Sequence, residues 1–147
     1  MIEPIDSGAA TRGIMDGRQN PLVAKLLQFA PLSDKEVGLL ETLCMPEERF
    51  SAGANIVVEG ETPRWGFVIT RGMACRYRLM ADGRRQILTI LIPGDFCDLH
   101  GFLLHAMDHS VVTIGPTRIV AIGREAVIDI VANHPRLGAA LWWSARQ

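Results

Sequence analysis

Between residues 86 and 112 the chain gathers three of its four histidines with a thiol, carboxylates and a hydroxyl: Asp95, Cys97, Asp98, His100, His105, Asp108, His109 and Ser110. Imidazoles, a thiol and carboxylates at that density suit a metal or haem site, a redox-active thiol, or the polar wall of a small-molecule pocket. His105 and His109 are four apart and would share one face of a helix, as metal ligands often do. However, Asp108-His109-Ser110 reads as a helix end running into a strand, which would separate the two rings. His105 is then a surface residue and His100 a hydrogen-bonded pocket wall, and no metal site is assigned. Cys97 has no neighbour in sequence that would lower its pKa, so it reads as a small buried residue. A small-molecule site is the chemistry left for this stretch.

The frame that positions these groups is largely apolar. Residues 87–92 (Ile-Leu-Thr-Ile-Leu-Ile) form a nearly unbroken apolar strand, and that continuity predicts burial on both faces. Pro93-Gly94-Asp95 is a turn, a short apolar helix-like piece covers residues 99–107, and a strand resumes at 111–114. Earlier, residues 1–19 show no sustained period and read as a loose arm. Asn20-Pro21 is a helix start, since Asn caps and Pro at the first helical position loses no needed N–H. Ser33 and Glu36 make a capping box for a second helix with Val37, Leu40, Leu43 and Cys44 along its apolar stripe, ending before Pro46. From Phe50 short apolar runs alternate with glycine, proline or Asp-Gly turns, the pattern of a β-sandwich or β-roll of seven or eight strands. Strands are predicted at 55–58, 65–70, 73–80 and 118–122, with an Asp82-Gly83 hairpin. Arg76 and Arg78 fall on one face of the third of these and, with Arg84 and Arg85, read as a solvated strand face. Residues 124–133 and 137–147 are helical. Leu137, Leu141, Trp142 and Ser144 form a seam on the last helix. Trp142 and Trp143, close to the chain end, either contact a second chain or divide between the roll and the surface.

Composition narrows the function classes. The chain has 147 residues, 48% of them hydrophobic, with formal net charge −1, so it suits one compact domain and shows no bulk attraction for polyanions. Three widely spaced cysteines without a CxxC pair argue against a disulfide framework or zinc knuckle and favour a reducing cytoplasm. The first residues lack the pattern of a signal peptide, and no apolar run approaches the ~18 residues of a membrane span. No membrane association is expected.

Five segments in order, Glu59-Gly60-Glu61, residues 66–72, Asp82-Gly83-Arg84, residues 92–96 and Asp108-His109-Ser110, resemble the cyclic-nucleotide-binding domain of the Crp/Fnr transcription regulators. The resemblance covers residues 22–147. It implies a mainly β fold with flanking helices, a double-stranded β-roll of jelly-roll type, spanning residues 20–136, with 137–147 as the start of a dimerisation helix. It further implies a small-molecule effector, a homodimer, and DNA contact only through a C-terminal helix-turn-helix domain outside this chain. The chain is then a piece of such a regulator or a stand-alone sensory module.

The resemblance places the ligand-binding positions at Gly94, Asp98, Leu99, His100, His109 and Ser110. Cyclic-AMP-binding members carry a glutamate for the ribose where this chain has Leu99, and an arginine for the phosphate where it has His109. Leu99 accepts no hydrogen bond, and a histidine is a full cation only near or below pH ~6.5. Asp98 is placed to cap the following helix-like piece, taking the amides a phosphate would use. A cyclic nucleotide is therefore disfavoured as cofactor, and a different ligand, or none, is expected. An iron–sulfur sensor is disfavoured too, because residues 1–43 contain no cysteine. The competing class is a cupin-like metal-dependent enzyme, for which the chain lacks the His-x-His pair; a structural interaction module with a self-filled pocket is the third. No catalytic residue is assigned.

Overall fold

The computed structural model describes residues 3–4, 20–43, 46–62, 65–97 and 106–144. Nine strands and four helices lie among them: β1 (Glu3–Pro4), α1 (Pro21–Leu26), α2 (Asp34–Leu43), β2 (Glu47–Phe50), β3 (Asn55–Val57), β4 (Trp65–Arg71), β5 (Ala74–Leu79), β6 (Arg85–Leu91), β7 (Phe96–Cys97), β8 (Ser110–Thr113), β9 (Thr117–Gly123), α3 (Arg124–Asn133) and α4 (Pro135–Ser144). The strands pair antiparallel into a five-stranded sheet, β1-β2-β9-β4-β7, and a four-stranded sheet, β3-β8-β5-β6. This is the mainly β double-stranded roll with flanking helices that the sequence led us to expect. No helix among the described residues is long and apolar enough to cross a membrane.

Local chemistry sets the helix starts. Asn20 Oδ1 accepts from the Leu22 and Val23 amides at 3.0 and 3.3 Å, and Pro21 opens α1. Ser33 Oγ accepts from the Glu36 amide at 3.1 Å while Glu36 Oε1 accepts from the Ser33 amide at 3.0 Å, a reciprocal capping box at α2. Arg136 at the start of α4 donates to the same Glu36 Oε1 at 2.7 Å, so the cap also ties two helices together.

Two apolar layers hold the roll. Phe50, Phe67, Ile69 and Ile119 of one sheet meet Ile56, Ala74, Leu91 and Val111 of the other in the interior. On the outer face of the five-stranded sheet Val68, Val120 and Ile122 are covered by Leu22 and Leu26 of α1, Leu40 of α2, Val127 and Ile130 of α3, and Leu137 and Leu141 of α4. Alternation along β4 and β9 therefore serves two cores, and both strands are buried nearly throughout.

The strand at 87–92 departs from expectation. Burial on both faces was expected, yet Ile87, Leu88, Ile90 and Ile92 are 54, 42, 46 and 49% exposed. The reason is topological: β6 is an edge strand, paired with β5 alone among the described strands. Arg76 and Arg78 share one face of β5, as expected from alternation, but at Arg76 that face is not solvated. Arg76 sits opposite Val111, on the face that carries Ala74 into the interior, and its Nε is buried. Arg78 is exposed and reaches Asp108, Arg84 pairs with Asp82, and Arg85 lies 4.5 Å over the Tyr77 ring.

Candidate functional site

The Pro93-Gly94-Asp95 turn is built into the helical layer. Gly94 takes φ +94°, and a Cβ added there would lie 2.7 Å from the Pro21 carbonyl oxygen, so only glycine lets the turn approach α1 this closely. Its amide donates to the Ile69 carbonyl at 2.8 Å, and Ile69 N–H donates to Asp95 O at 3.2 Å. Asp95 Oδ2 accepts from the Ile92 amide at 2.9 Å, and Oδ1 pairs with Lys25 Nζ. The turn thus locks β6 to β4 and α1. Gly94 is placed for this packing.

Beyond the turn Cys97 is fully buried, its Sγ 3.6 Å from Asp95 O. Asp98, Leu99, His100 and His105 lie outside the described residues, which resume at 106. His109 and Ser110 are both buried at the entry to β8. His109 Nδ1 stands 2.8 Å from Asp108 Oδ1, and Arg78 adds an Nη2–Oδ2 contact of 3.5 Å to the same carboxylate. The His109 hydrogen bond first, then the His109 and Arg78 charges, hold the Asp108 carboxyl below the usual carboxylate range against some desolvation. Ser110 Oγ accepts from the Glu59 amide at 2.8 Å. His109 and Ser110 are therefore brought together, each already engaged by a neighbour.

The Glu59 contact leads to a cavity that the residue-by-residue reading of the sequence did not single out. About 530 Å³ in volume, it is lined by Ile56, Val57, Gly60, Glu61, Thr62, Trp65 and Met107. Gly60 N–H donates to Met107 O and Met107 N–H to Glu61 O, both at 2.8 Å, which fastens the Gly60-Glu61 turn beside residues 106–110. Its volume suits a small organic ligand, and its lining is mixed apolar and acidic. The signal in the sequence was the Glu59-Gly60-Glu61 turn itself. No group of three or more His, Cys, Asp or Glu side chains able to hold a metal occurs among the described residues.

On α4, Leu137, Leu141 and Ser144 are buried within this chain, and Ser144 Oγ donates to Leu141 O at 2.9 Å. Of the expected seam only Trp142 is turned outward, 46% exposed, beside Trp143 at 56%.

A family model described as the cyclic nucleotide-binding domain matches residues 47–134. A CRP-like cAMP-activated global transcriptional regulator of Mycobacterium tuberculosis is 31% identical over 93 residues, which are 63% of this chain and 42% of that relative. The chain thus spans less than half the length of that relative. Among solved structures, a cyclic nucleotide-binding domain from Methylobacillus flagellatus superimposes with TM-score 0.72 at 18% identity, covering 86% of this chain and 73% of the other. The sensor domain of the transcriptional regulator DNR from Pseudomonas aeruginosa gives 0.70 at 19% identity, covering 88% and 86%. The Thermus thermophilus catabolite activator protein gives 0.68 at 21% identity, covering 82% and 54%. These structural likenesses establish the fold.

Proposed function

The chain belongs to the cyclic nucleotide-binding domain family in its Crp/Fnr-like form, and from that membership we propose that it is the effector-sensing part of a transcription regulator whose ligand is not cyclic AMP held in the usual way. The observation that carries this reading is His109. Where the family resemblance calls for a phosphate-binding arginine, an imidazole stands with its Nδ1 2.8 Å from the Asp108 carboxylate. A guanidinium is permanently charged and forks onto a phosphate, whereas a histidine tied to a carboxylate brings negative charge to the same place. Leu99, at the ribose position, adds no acceptor. The effector is accordingly a small molecule of other chemistry.

Regulation follows from a ligand that binds one arrangement of roll and following helix more tightly than another. DNA contact belongs to a segment beyond this chain, and the role is regulatory, not catalytic, in the cytoplasm. A homodimer is the working unit. Trp142 and Trp143 on α4, each about half exposed, and the exposed apolar residues of β6 support it as apolar surface that a second copy would cover.

Native mass spectrometry of freshly purified protein, paired with calorimetric titration of cyclic AMP, tests this. The expected result is a dimer mass, a retained small molecule other than cyclic AMP, and no cyclic AMP heat. Micromolar cyclic AMP binding would overturn the ligand assignment. A retained transition metal whose chelation abolished an activity would overturn the regulatory one.

A further inference from the structure

Three arginines stand in one row across three adjacent strands of the five-stranded sheet. Arg49 of β2 is directly opposite Arg118 of β9, and Arg118 is directly opposite Arg71 of β4. Like charges at directly opposed positions of an antiparallel pair destabilise the sheet. The row survives, so something must offset the repulsion.

Part of the offset is visible. Glu47, whose side chain is fully buried, accepts from Thr70 Oγ1 at 2.8 Å through Oε2 and meets Arg118 Nη1 at 3.5 Å through Oε1. That carboxylate matches one guanidinium. Arg49 and Arg71 make no ion pair among the described residues, and both are exposed. Glu48, the next acid in β2, is opposite Ile119 and so belongs to the other face. Glu3 of β1 occupies the register position across from Arg49.

The row lines a cavity. Arg49, Arg71 and Arg118, with Phe50, Pro116 and Thr117, enclose about 250 Å³. That is below the size of drug-like ligand sites and suits an ion or a single head group. The walls are also fixed. Gly72, adjacent to Arg71, has φ +87°, and a Cβ there would lie 2.3 Å from Pro116 O, so the turn after β4 is wedged against the turn before β9. Thr117 Oγ1 lies 2.9 Å from Met73 O and 2.8 Å from Gly115 O, pinning the same corner.

From this geometry we propose that the outer face of the five-stranded sheet carries a binding site for a divalent oxyanion of the phosphate type, held by Arg49, Arg71 and Arg118. Three guanidinia outnumber the two carboxylates at or across from the row, Glu47 and Glu3, which leaves net positive charge to meet an oxyanion, and the planar guanidinium fork matches its oxygens. The site is separate from the interior of the roll and does not depend on the identity of the effector. The phosphate is either free or the terminal group of a nucleotide.

Calorimetric titration at low, constant ionic strength separates these cases, with inorganic phosphate and a nucleoside triphosphate as probes and chloride as control. Saturable phosphate binding is expected, weakened about tenfold or more by each of Arg49→Gln and Arg71→Gln, since each removes a charge-assisted hydrogen-bond donor. Tighter binding of the triphosphate, lost in the same variants, supports the nucleotide form. Equal affinity of both probes, lost likewise, supports free phosphate. Phosphate binding unchanged in Arg49→Gln and Arg71→Gln, or no binding in the wild type, overturns the proposal. Circular dichroism checks that the variants fold. Arg71→Lys, which keeps the charge but not the fork, serves where Arg71→Gln does not fold, and unweakened binding there counts equally against the site.

Discussion

Lys25 of α1 and Asp95 of the turn after β6 form an ion pair that bridges 70 residues of sequence, their side chains only 17 and 16% exposed. Because Asp95 also receives the Ile92 amide, one carboxylate fastens the end of β6 to itself and to the helical layer. Asp95→Asn keeps an acceptor for Ile92 and loses the charge, and Lys25→Met leaves the carboxylate uncompensated. Each is expected to cost about 1–3 kcal/mol in urea denaturation. A double-mutant cycle should return a coupling of about 0.5–3 kcal/mol; additive losses would show that the pair contributes nothing.

Glycine at 94 and at 83 separates strain from collision. Both have positive φ, +94° and +87°, but a Cβ at 83 meets nothing within 4 Å, whereas at 94 it meets backbone of α1. Gly83→Ala is expected to cost about 1–2 kcal/mol, the penalty of the left-handed region alone. Gly94→Ala should cost at least about 3 kcal/mol, because Pro21 is backbone and cannot rotate away. Equal losses in chemical denaturation would mean that α1 does not rest on the turn.

These relationships show what could be read without coordinates. The Asn20 cap, the Ser33/Glu36 box and the Asp82-Gly83 turn were legible because each is settled within a few residues. The apolar run at 87–92 was legible as a strand but not as an edge, since which neighbours it acquires is decided elsewhere in the chain. β2 was not anticipated: Glu47-Glu48-Arg49 looks like a loop until Thr70 and Arg118 arrive from β4 and β9 to satisfy Glu47. Alternation put Arg76 and Arg78 on one face correctly, but it could not tell that at Arg76 this face, shared with Ala74, is the interior one. At the site, the sequence brought Asp108, His109, Ser110 and Glu59 into view, but not the contacts that engage them, His109 with Asp108 and Ser110 with the Glu59 amide.

Acid should weaken the fold partly through Glu36. The Ser33 amide first, then the Arg136 hydrogen bond, hold the Glu36 carboxyl below the usual range. A lowered folded-state pKa stabilises above the unfolded value of about 4.3, and that stability is lost as pH falls through the folded value. Ser33→Ala removes the hydroxyl that caps Glu36 N–H and is expected to cost about 1 kcal/mol at pH 7. It should also shallow the fall in thermal midpoint between pH 5 and pH 3, a range in which Asp108 loses its own contribution in both proteins. An unchanged midpoint at pH 7 would remove the capping box from the stability of α2.

Glu48 carries the opposite sign. Burial raises its carboxyl above the usual range, and its Oε2 is buried with no hydrogen-bond partner among the described residues. A raised folded-state pKa means the native state favours the neutral acid, so the favourable contribution is complete below about pH 4.3 and is lost as pH climbs through the folded value. At neutral pH the ionised group is a net cost. Glu48→Gln removes that cost with a side chain of nearly the same shape. Discounted for the partial exposure of the group, the gain at pH 7 is about 0.5 kcal/mol, or roughly 1–2 °C in Tm. The difference between variant and wild type should shrink toward zero as pH is lowered to 4, where both carry a neutral group. Differential scanning calorimetry across pH 4–8 reads this directly. A lower Tm for Glu48→Gln at pH 7 would mean that the carboxylate is paired in solution.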